Sequence, residues 1–337
     1  MSDRKNGLTD ASGEFRRQAT TFRDFVSKAP ASRFPPEKGR YHLYVSYACP
    51  WAHRALIVRK LKGLEDIISM TSVHWHMGEK GWRFATSAEN LPGENVTPDP
   101  LHPNFTHVRE LYLSINADYQ GRFSVPLLWD KVTQTIVNNE SSEIMRMLNS
   151  EFDELLPEAS SSRNLNLLPK DQLDRIEICN QWIYEDINNG VYKAGFASTQ
   201  EAYTRNVTQL FKSLDRAETA LAGSAGPFYF GEIITETDIK LYTTLIRFDP
   251  VYVQHFKCNI RDIRSGYPNI HKWMRNLYWN IPAFRETTEF EHIKDHYTKS
   301  HKQINPSAIT SVGPLPNILN LAEEVAAVRG TELPREV

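Results

Sequence analysis

From residue 41 onward the apolar and polar positions change period several times, and each change marks an element. Tyr41-His-Leu-Tyr-Val-Ser46 alternates and is rich in β-formers, which predicts a strand. Pro50 follows where a first helical turn should begin, and Ala52 to Leu61 continues with strong helix formers. Ile67 to His74 reads as a second strand. Trp75 to Phe105 keeps no period and carries Gly78, Gly81, Pro92, Gly93, Pro98, Pro100 and Pro103. It is a long irregular insertion, and such loops inside compact domains are usually functional. Helical spacing returns from His107 to Tyr119. Arg122 to Trp129 and Thr133 to Val137 form a hairpin turned at Asp130-Lys131, and Asn138 to Glu143 leads into a helix from Ile144. The predicted order β-α-β-α-β-β-α is the thioredoxin-like order.

Past about residue 170 strand signals nearly vanish. Leu173, Ile176, Trp182 and Ile183, then Tyr203, Val207, Leu210 and Leu214, then Leu241, Leu245 and Ile246 recur at helical spacing. Thr235-Glu-Thr-Asp238 reads as an N-capping arrangement opening a buried helix, with Asp in the place more often held by Glu or Gln. The resulting division is an extension over 1–40, a thioredoxin-like domain over 41–155, a linker over 156–169, an all-helical domain over 170–304 and a tail over 305–337. The extension is polar and ends in a non-helical stretch, Ala31 to Gly39. The tail holds a short amphipathic stretch, Ile318 to Val328.

Composition narrows the class. A chain of 337 residues suits two domains, each large enough for its own core. A net charge of −2 gives no case for nucleic acid or an anionic membrane surface. No apolar run approaches a membrane span, and the mixed-charge N-terminus lacks the features of a signal or transit peptide. Three cysteines do not make a disulfide scaffold, so a reducing, cytoplasmic setting is expected.

The chemistry gathers at Tyr47-Ala-Cys49-Pro50-Trp51-Ala52-His53-Arg54. A cysteine at the mouth of a helix faces unpaired N–H groups and the positive end of the helix dipole, which favours its nucleophilic thiolate. The alternative is a small buried residue in a strand-to-helix turn. Ala52 stands where a dithiol oxidoreductase would carry a second cysteine, so Cys49 cannot close a local disulfide and an external thiol must resolve any mixed disulfide. Cys179 and Cys258 lie in helical contexts and read as packed core thiols. His74 and His76 flank Trp75 at strand spacing and read as a polar surface pair. Without a third ligand nearby, no metal site is expected.

Several segments carry a resemblance. They are Cys49 to Arg54, Trp75 to Trp82, Arg122-Phe-Ser-Val-Pro126, Asn139-Glu-Ser-Ser142, Asn188 to Phe196 around Tyr192, Arg247 to Cys258 around Tyr252, and Glu291 to Tyr297. Together, over roughly residues 40 to 303, the chain resembles the glutathionyl-hydroquinone reductases. These are Xi-class glutathione transferases, fungal and bacterial relatives of the Omega class. The resemblance implies a thioredoxin-like glutathione-binding domain followed by an all-helical acceptor-substrate domain. It implies no permanently bound cofactor, glutathione as co-substrate, quinone-derived small molecules as partners, and a homodimer. It also implies that Cys49 takes glutathione as a mixed disulfide and releases free hydroquinone.

Residue by residue, the resemblance places Trp82 and Arg122 along the glutathione site. Val125, before a cis Pro126, would pair its backbone with the cysteinyl part. Glu140 would take the γ-glutamyl ammonium, and Ser141, read as a helix cap, the carboxylate. Tyr192, Tyr252 and Tyr297 would line the acceptor pocket, their hydroxyls meeting the two oxygens of a hydroquinone. Without the resemblance, Glu140-Ser141 is ordinary capping, Trp82 a loop plug and each tyrosine a structural hydroxyl. Three rival readings remain: an Omega-like thioltransferase or dehydroascorbate reductase, a non-catalytic binding protein on the same fold, and classical conjugation through a hydroxyl such as that of Tyr47.

Overall fold

The computed structural model describes residues 9–323. The strand expected from residue 41 is β1 (Tyr41–Val45), and all five of its positions are buried. Its polar members are therefore covered too, because β1 lies inside a four-stranded sheet. It runs parallel to β2 (Ser69–Ser72) and antiparallel to β5 (Leu127–Asp130). Between β2 and β5 come two short strands, β3 (Met77–Gly78) and β4 (Gly81–Trp82), which pair only with each other. The last strand, β6 (Thr135–Asn138), pairs with β5, giving the order β2-β1-β5-β6.

Three helices complete the thioredoxin-like pattern: α1 (Pro50–Leu61), α2 (Val108–Ile115) and α3 (Ser141–Ser150). Pro50 begins α1 because its missing N–H belongs to a group that has no helical acceptor anyway. The α2 start is fixed by a capping box between His107 and Glu110. The β5–β6 turn lies one residue later than Asp130-Lys131 suggests. Asp130 ends β5, and its carboxylate accepts from the Val132 N–H at 3.0 Å and the Thr133 hydroxyl at 2.6 Å. Arg40 grips the same buried carboxylate with two nitrogens, at 2.8 and 2.7 Å.

The insertion has no period, yet it is tied down by individual bonds. Asp99 accepts from the Tyr44 hydroxyl at 2.9 Å, and the Ser72 N–H donates to the Asn95 carbonyl at 2.9 Å. Gly93 has φ +95°, and a Cβ there would stand 2.6 Å from the Tyr47 ring, so the loop passes Tyr47 only as glycine.

The region read as a linker holds a 3₁₀ turn at Asp153–Leu155 and the one-turn helix α4 (Ser161–Asn164). Next come α5 (Leu173–Trp182), a π-helical stretch over Ile183–Asn188, α6 (Gly190–Gly195), α7 (Gln200–Ala222) and α8 (Glu236–Leu245). A second π-helical stretch, Phe248–Tyr252, leads to α9 (Val253–His255), α10 (Ile263–Gly266), α11 (Pro268–Asn280), α12 (Pro282–Arg285) and α13 (Phe290–Ser300). The capping box expected at α8 is present: the Asp238 carboxylate accepts from the Thr235 N–H at 2.9 Å, and from Trp273 Nε1 at 2.9 Å.

The chain packs as two units, and neither is continuous in sequence. One comprises Gln18–Asn166 and Ala283–Thr310. The other comprises the described residues up to Arg17, Leu167–Pro282 and those from Ser311 onward. Helix α13, grouped by the sequence with the helical domain, therefore packs with the sheet-bearing unit. Its Ser300 accepts from the Met77 N–H at 3.0 Å, and His296 Nδ1 meets the Trp75 carbonyl at 2.9 Å. The amphipathic stretch expected over Ile318 to Val328 shows no helix up to residue 323, though Ile318 and Leu319 are buried. Its remaining positions lie outside the described residues. No helix among those described is long and apolar enough to cross a membrane.

Candidate active site

Strand β1 delivers the chain into a tight turn whose Cys49 N–H donates to the Ser46 carbonyl at 3.1 Å. Cys49 is the N-cap of α1, with extended backbone at φ −81° and ψ 117°, and its carbonyl accepts from the His53 N–H at 3.0 Å. Its side chain takes no part in capping and stays partly exposed. The first turn of α1 carries no acidic residue. The sulfur therefore meets the positive helix end with no carboxylate on that turn opposing a thiolate.

Cys49 Sγ lies 3.6 Å from the carbonyl oxygen of Val125, and the Val125–Pro126 bond is cis, as expected from the sequence. This brings two segments 76 residues apart in the chain to one point. A sulfur beside the backbone of a residue before a cis proline is where a thiol peptide could lie as a short added strand.

The start of α3 differs from expectation in one respect. Glu140, not Ser141, is the N-cap: its Oε1 accepts from the Ser142 N–H at 3.2 Å. Asn138 decides between them, because its side-chain oxygen accepts the Glu140 N–H at 2.7 Å and holds that residue in extended backbone ahead of the helix. Ser141 is the first helical residue and is buried, with its hydroxyl 3.4 Å from Arg54 Nη1. Arg54 is itself buried, its guanidinium 4.5 Å from the centre of the Trp51 ring. A helix N-terminus backed by a buried cation suits an anion. The sequence reading used Arg54 only as part of a motif. Its place three residues after Trp51 on one helix face was the available signal.

Trp82 is buried, and its ring stacks on His296 of α13 with centroids 4.6 Å apart and planes 27° apart. Arg122 is exposed in the approach to the cis proline. Cys49, Trp82, Arg122, Val125, Glu140, Ser141 and Tyr297 all belong to the sheet-bearing unit. Tyr297, on α13, is nearly fully buried beside His296 and His301.

Tyr192 and Tyr252 belong to the other unit, within one aromatic cluster, their rings 6.3 Å apart. Phe256 stacks on Tyr252 at 5.4 Å, and Phe15 stacks on Tyr192 at 6.1 Å. Tyr192 is half-buried with the Arg17 guanidinium 5.1 Å from its ring centre, whereas Tyr252 is fully buried.

Two other expectations need correction. Cys258 follows α9 in non-helical chain, although it is the packed thiol the sequence suggests. Burial raises its thiol, and burial also pushes Cys179 up to about 11. His74 is buried rather than on the surface: its Nδ1 accepts from the His76 N–H at 2.8 Å, and desolvation first, then Arg83, pushes its imidazole down to about 4. The Tyr47 hydroxyl is tied to the Glu94 backbone, donating to the carbonyl at 3.1 Å and accepting from the N–H at 3.0 Å. Burial also raises its phenol, which makes it a poor activating base.

Comparison with known proteins agrees with this architecture. The glutathione S-transferase N-terminal domain model matches residues 48–151, and the C-terminal domain model matches residues 200–276. The chain is 55% identical, over 91% of its own length and 95% of its relative's, to "Glutathione S-transferase omega-like 2" of Schizosaccharomyces pombe. It is 48% identical, over 90% of itself and 89% of the relative, to "Glutathionyl-hydroquinone reductase YqjG" of Escherichia coli. The Xi glutathione transferase ECM4 of Saccharomyces cerevisiae, solved in complex with glutathione, superposes with a TM-score of 0.85 at 46% identity, over 92% of this chain and 100% of that one. The chain belongs to the glutathione transferase family, in its Xi class beside the glutathionyl-hydroquinone reductases.

Proposed function

We propose that this protein reduces glutathionyl-hydroquinones to hydroquinones at the expense of glutathione, with Cys49 as its nucleophile. The observation that carries this reading is the partly exposed Cys49 sulfur at the head of α1, 3.6 Å from the Val125 carbonyl. Ala52 offers no second thiol, and Cys179 and Cys258 are buried. In the first step the Cys49 thiolate attacks the glutathione sulfur of the aryl thioether. The Cys49–glutathione S–S bond forms, the carbon–sulfur bond breaks, and the ring carbon takes a proton as the hydroquinone leaves. In the second step a second glutathione thiolate attacks the mixed disulfide. Oxidised glutathione departs and the Cys49 thiolate is regenerated. The aryl carbon is reduced and two glutathione sulfurs are oxidised, so no bound cofactor is required.

Within this reading the Val125 backbone pairs with the cysteinyl part of glutathione. Glu140 takes the γ-glutamyl ammonium, and Ser141, at the α3 N-terminus with Arg54 behind it, takes the carboxylate. Trp82 and Arg122 complete the glutathione site, and Tyr192, Tyr252 and Tyr297 serve the aromatic acceptor. The domains read from the sequence as glutathione-binding (41–155) and acceptor-binding (170–304) keep those roles. The reading includes a cytoplasmic homodimer: three cysteines in 337 residues make no disulfide scaffold and support a reducing compartment, and the Xi-class resemblance supports the dimer.

A second reading, a general thioltransferase or dehydroascorbate reductase, is favoured by the near-complete burial of Tyr252 and Tyr297. One assay separates the two. The protein is incubated with a menadiol–glutathione conjugate and glutathione, product release is followed, and the trapped enzyme is weighed by mass spectrometry. The proposal expects free menadiol and a glutathione adduct on Cys49, both lost in Cys49→Ala while its melting curve is unchanged. An adduct without menadiol would move the answer to the thioltransferase. Full activity in Cys49→Ala would remove the mechanism.

A further inference from the structure

The N-terminal extension is not a loose approach to β1. Its residues 22–24 lie antiparallel to β6, the edge strand of the sheet. The Asp24 N–H donates to the Val137 carbonyl at 3.0 Å, the Asn139 N–H donates to the Phe22 carbonyl at 3.1 Å, and Arg23 bridges to Asn138. Side chains lock the pairing. The Phe22 ring meets Tyr112 and Tyr119 at 5.7 Å, and the Asn138 amide donates to the Asp24 carbonyl at 3.0 Å. The segment thus acts as a short added strand on an edge that would otherwise be open.

This strap ends at the corner where α3 begins. Two carboxylates stand there, Glu140 and Glu143. Glu143 is taken up by Arg23, whose Nε donates to its Oε2 at 2.7 Å, and by the Asn138 amide at 2.8 Å. Glu140 is held differently: its Oε1 accepts from the Ser142 N–H, and its Oε2 accepts from the Thr20 hydroxyl at 3.1 Å. One neutral donor on each oxygen fixes the carboxylate plane, and about two of its four lone-pair positions remain for a cation.

We propose that the strap is a positioning element for the γ-glutamyl end of glutathione, and that Thr20 fixes the Glu140 carboxylate in its ammonium-binding orientation. This rests on the assignment of Glu140 to that ammonium. Thr20 acts through Glu140, so removing its hydroxyl releases a carboxylate that must then be ordered at the moment of binding. Pre-ordering of that kind sets affinity for the group contacted and leaves other ligand groups unaffected.

The test is isothermal titration of the full chain, in a Cys49→Ser background, with two probes: glutathione, and glutaryl-cysteinyl-glycine, which lacks only the α-amino group. Thr20→Val should weaken glutathione binding about three- to tenfold and leave the glutaryl analogue unchanged, as expected for a lost charge-assisted contact. Thr20→Ser should restore wild-type affinity. Thr20→Ala serves if the valine variant loses the native melting transition. Unchanged glutathione affinity in the variant, or equal weakening toward both probes, would overturn the inference, the latter because it marks a purely structural strap. Glu140→Gln keeps the two levels apart. If it binds glutathione as tightly as its parent, the Glu140 assignment fails and this inference with it. If it binds weakly while Thr20→Val does not, only the strap's role fails.

Discussion

Acid should weaken the sheet through His42, and the effect can be sized. His42 sits on β1, the strand that leads into the Cys49 turn, and is 1% exposed. Its Nδ1 lies 2.8 Å from the Ser69 hydroxyl and its Nε2 3.0 Å from that of Thr71, both on the neighbouring β2. Burial dominates its titration and pushes the imidazole down from 6.5 to about 4. The native state therefore keeps His42 neutral, while the unfolded chain takes a proton as pH falls below the ordinary value. Stability from this residue is complete above that value and is lost progressively as pH falls toward the folded one. At pH about 5, relative to about 7.5, the loss is about 2 kcal/mol. The perturbation is His42→Gln, which keeps a planar donor and acceptor between the two hydroxyls but does not titrate. The assay is urea unfolding of both proteins at the two pH values, followed by tryptophan fluorescence. The variant should be less stable at the higher pH yet lose about 2 kcal/mol less than wild type on acidification. Other buried histidines such as His292, also pushed down to about 4 by burial, act in both proteins and cancel in the difference. An equal acid loss in wild type and variant would refute the argument.

Two further outcomes test the frame and the acceptor residues. Asp130→Asn should cost up to about 3 kcal/mol in urea unfolding, because it leaves the buried Arg40 with only the half-exposed Glu37 as a carboxylate partner. The Asp130 carboxyl is held below its ordinary value by Arg40 and Thr133 against the cost of burial, so its contribution is present above the unfolded carboxylate range and fades as pH falls below it. Tyr192→Phe combined with Tyr297→Phe should lower turnover of a glutathionyl-hydroquinone by at least about tenfold, a loss the size of one or two hydroxyl contacts, and spare reduction of a simple mixed disulfide. Equal loss of both activities would mean that these tyrosines support the fold and not the acceptor.

What could be read from the sequence was what neighbours in the chain decide. The β1 alternation and Pro50 at the head of α1 are each settled within a few residues, so Cys49 stands out as the candidate nucleophile from its neighbours alone, whereas Val125 before a cis proline comes from the family resemblance. The choice between Glu140 and Ser141 as cap was already harder, because both can cap; it turns on the Asn138 side chain accepting the Glu140 N–H. The insertion was recognisable as aperiodic, but its order was not, since it comes from single bonds such as Tyr44 to Asp99, 55 residues apart. The groups that support the site lie far along the chain from the residues they hold. Arg54 reaches Ser141 across 87 residues, and Thr20 reaches Glu140 across 120. His296 lies under Trp82 because α13 packs with the sheet-bearing unit, against the grouping its helical pattern suggests.

That division has a mechanistic consequence. A nucleophile at a helix start needs only local structure to be activated, so it survives any fold that keeps the strand–turn–helix unit intact. In the proposed site, recognition of a charged peptide terminus needs donors and carboxylates held in place, and Glu140 and Ser141 are each met by a residue distant in the chain, Thr20 and Arg54, beside any local contacts. Substitutions at Thr20, Arg54 or His296 should therefore alter which thiol or conjugate is bound before they alter the reactivity of Cys49. In this family, divergence in substrate choice should be sought at such supporting positions rather than around the sulfur.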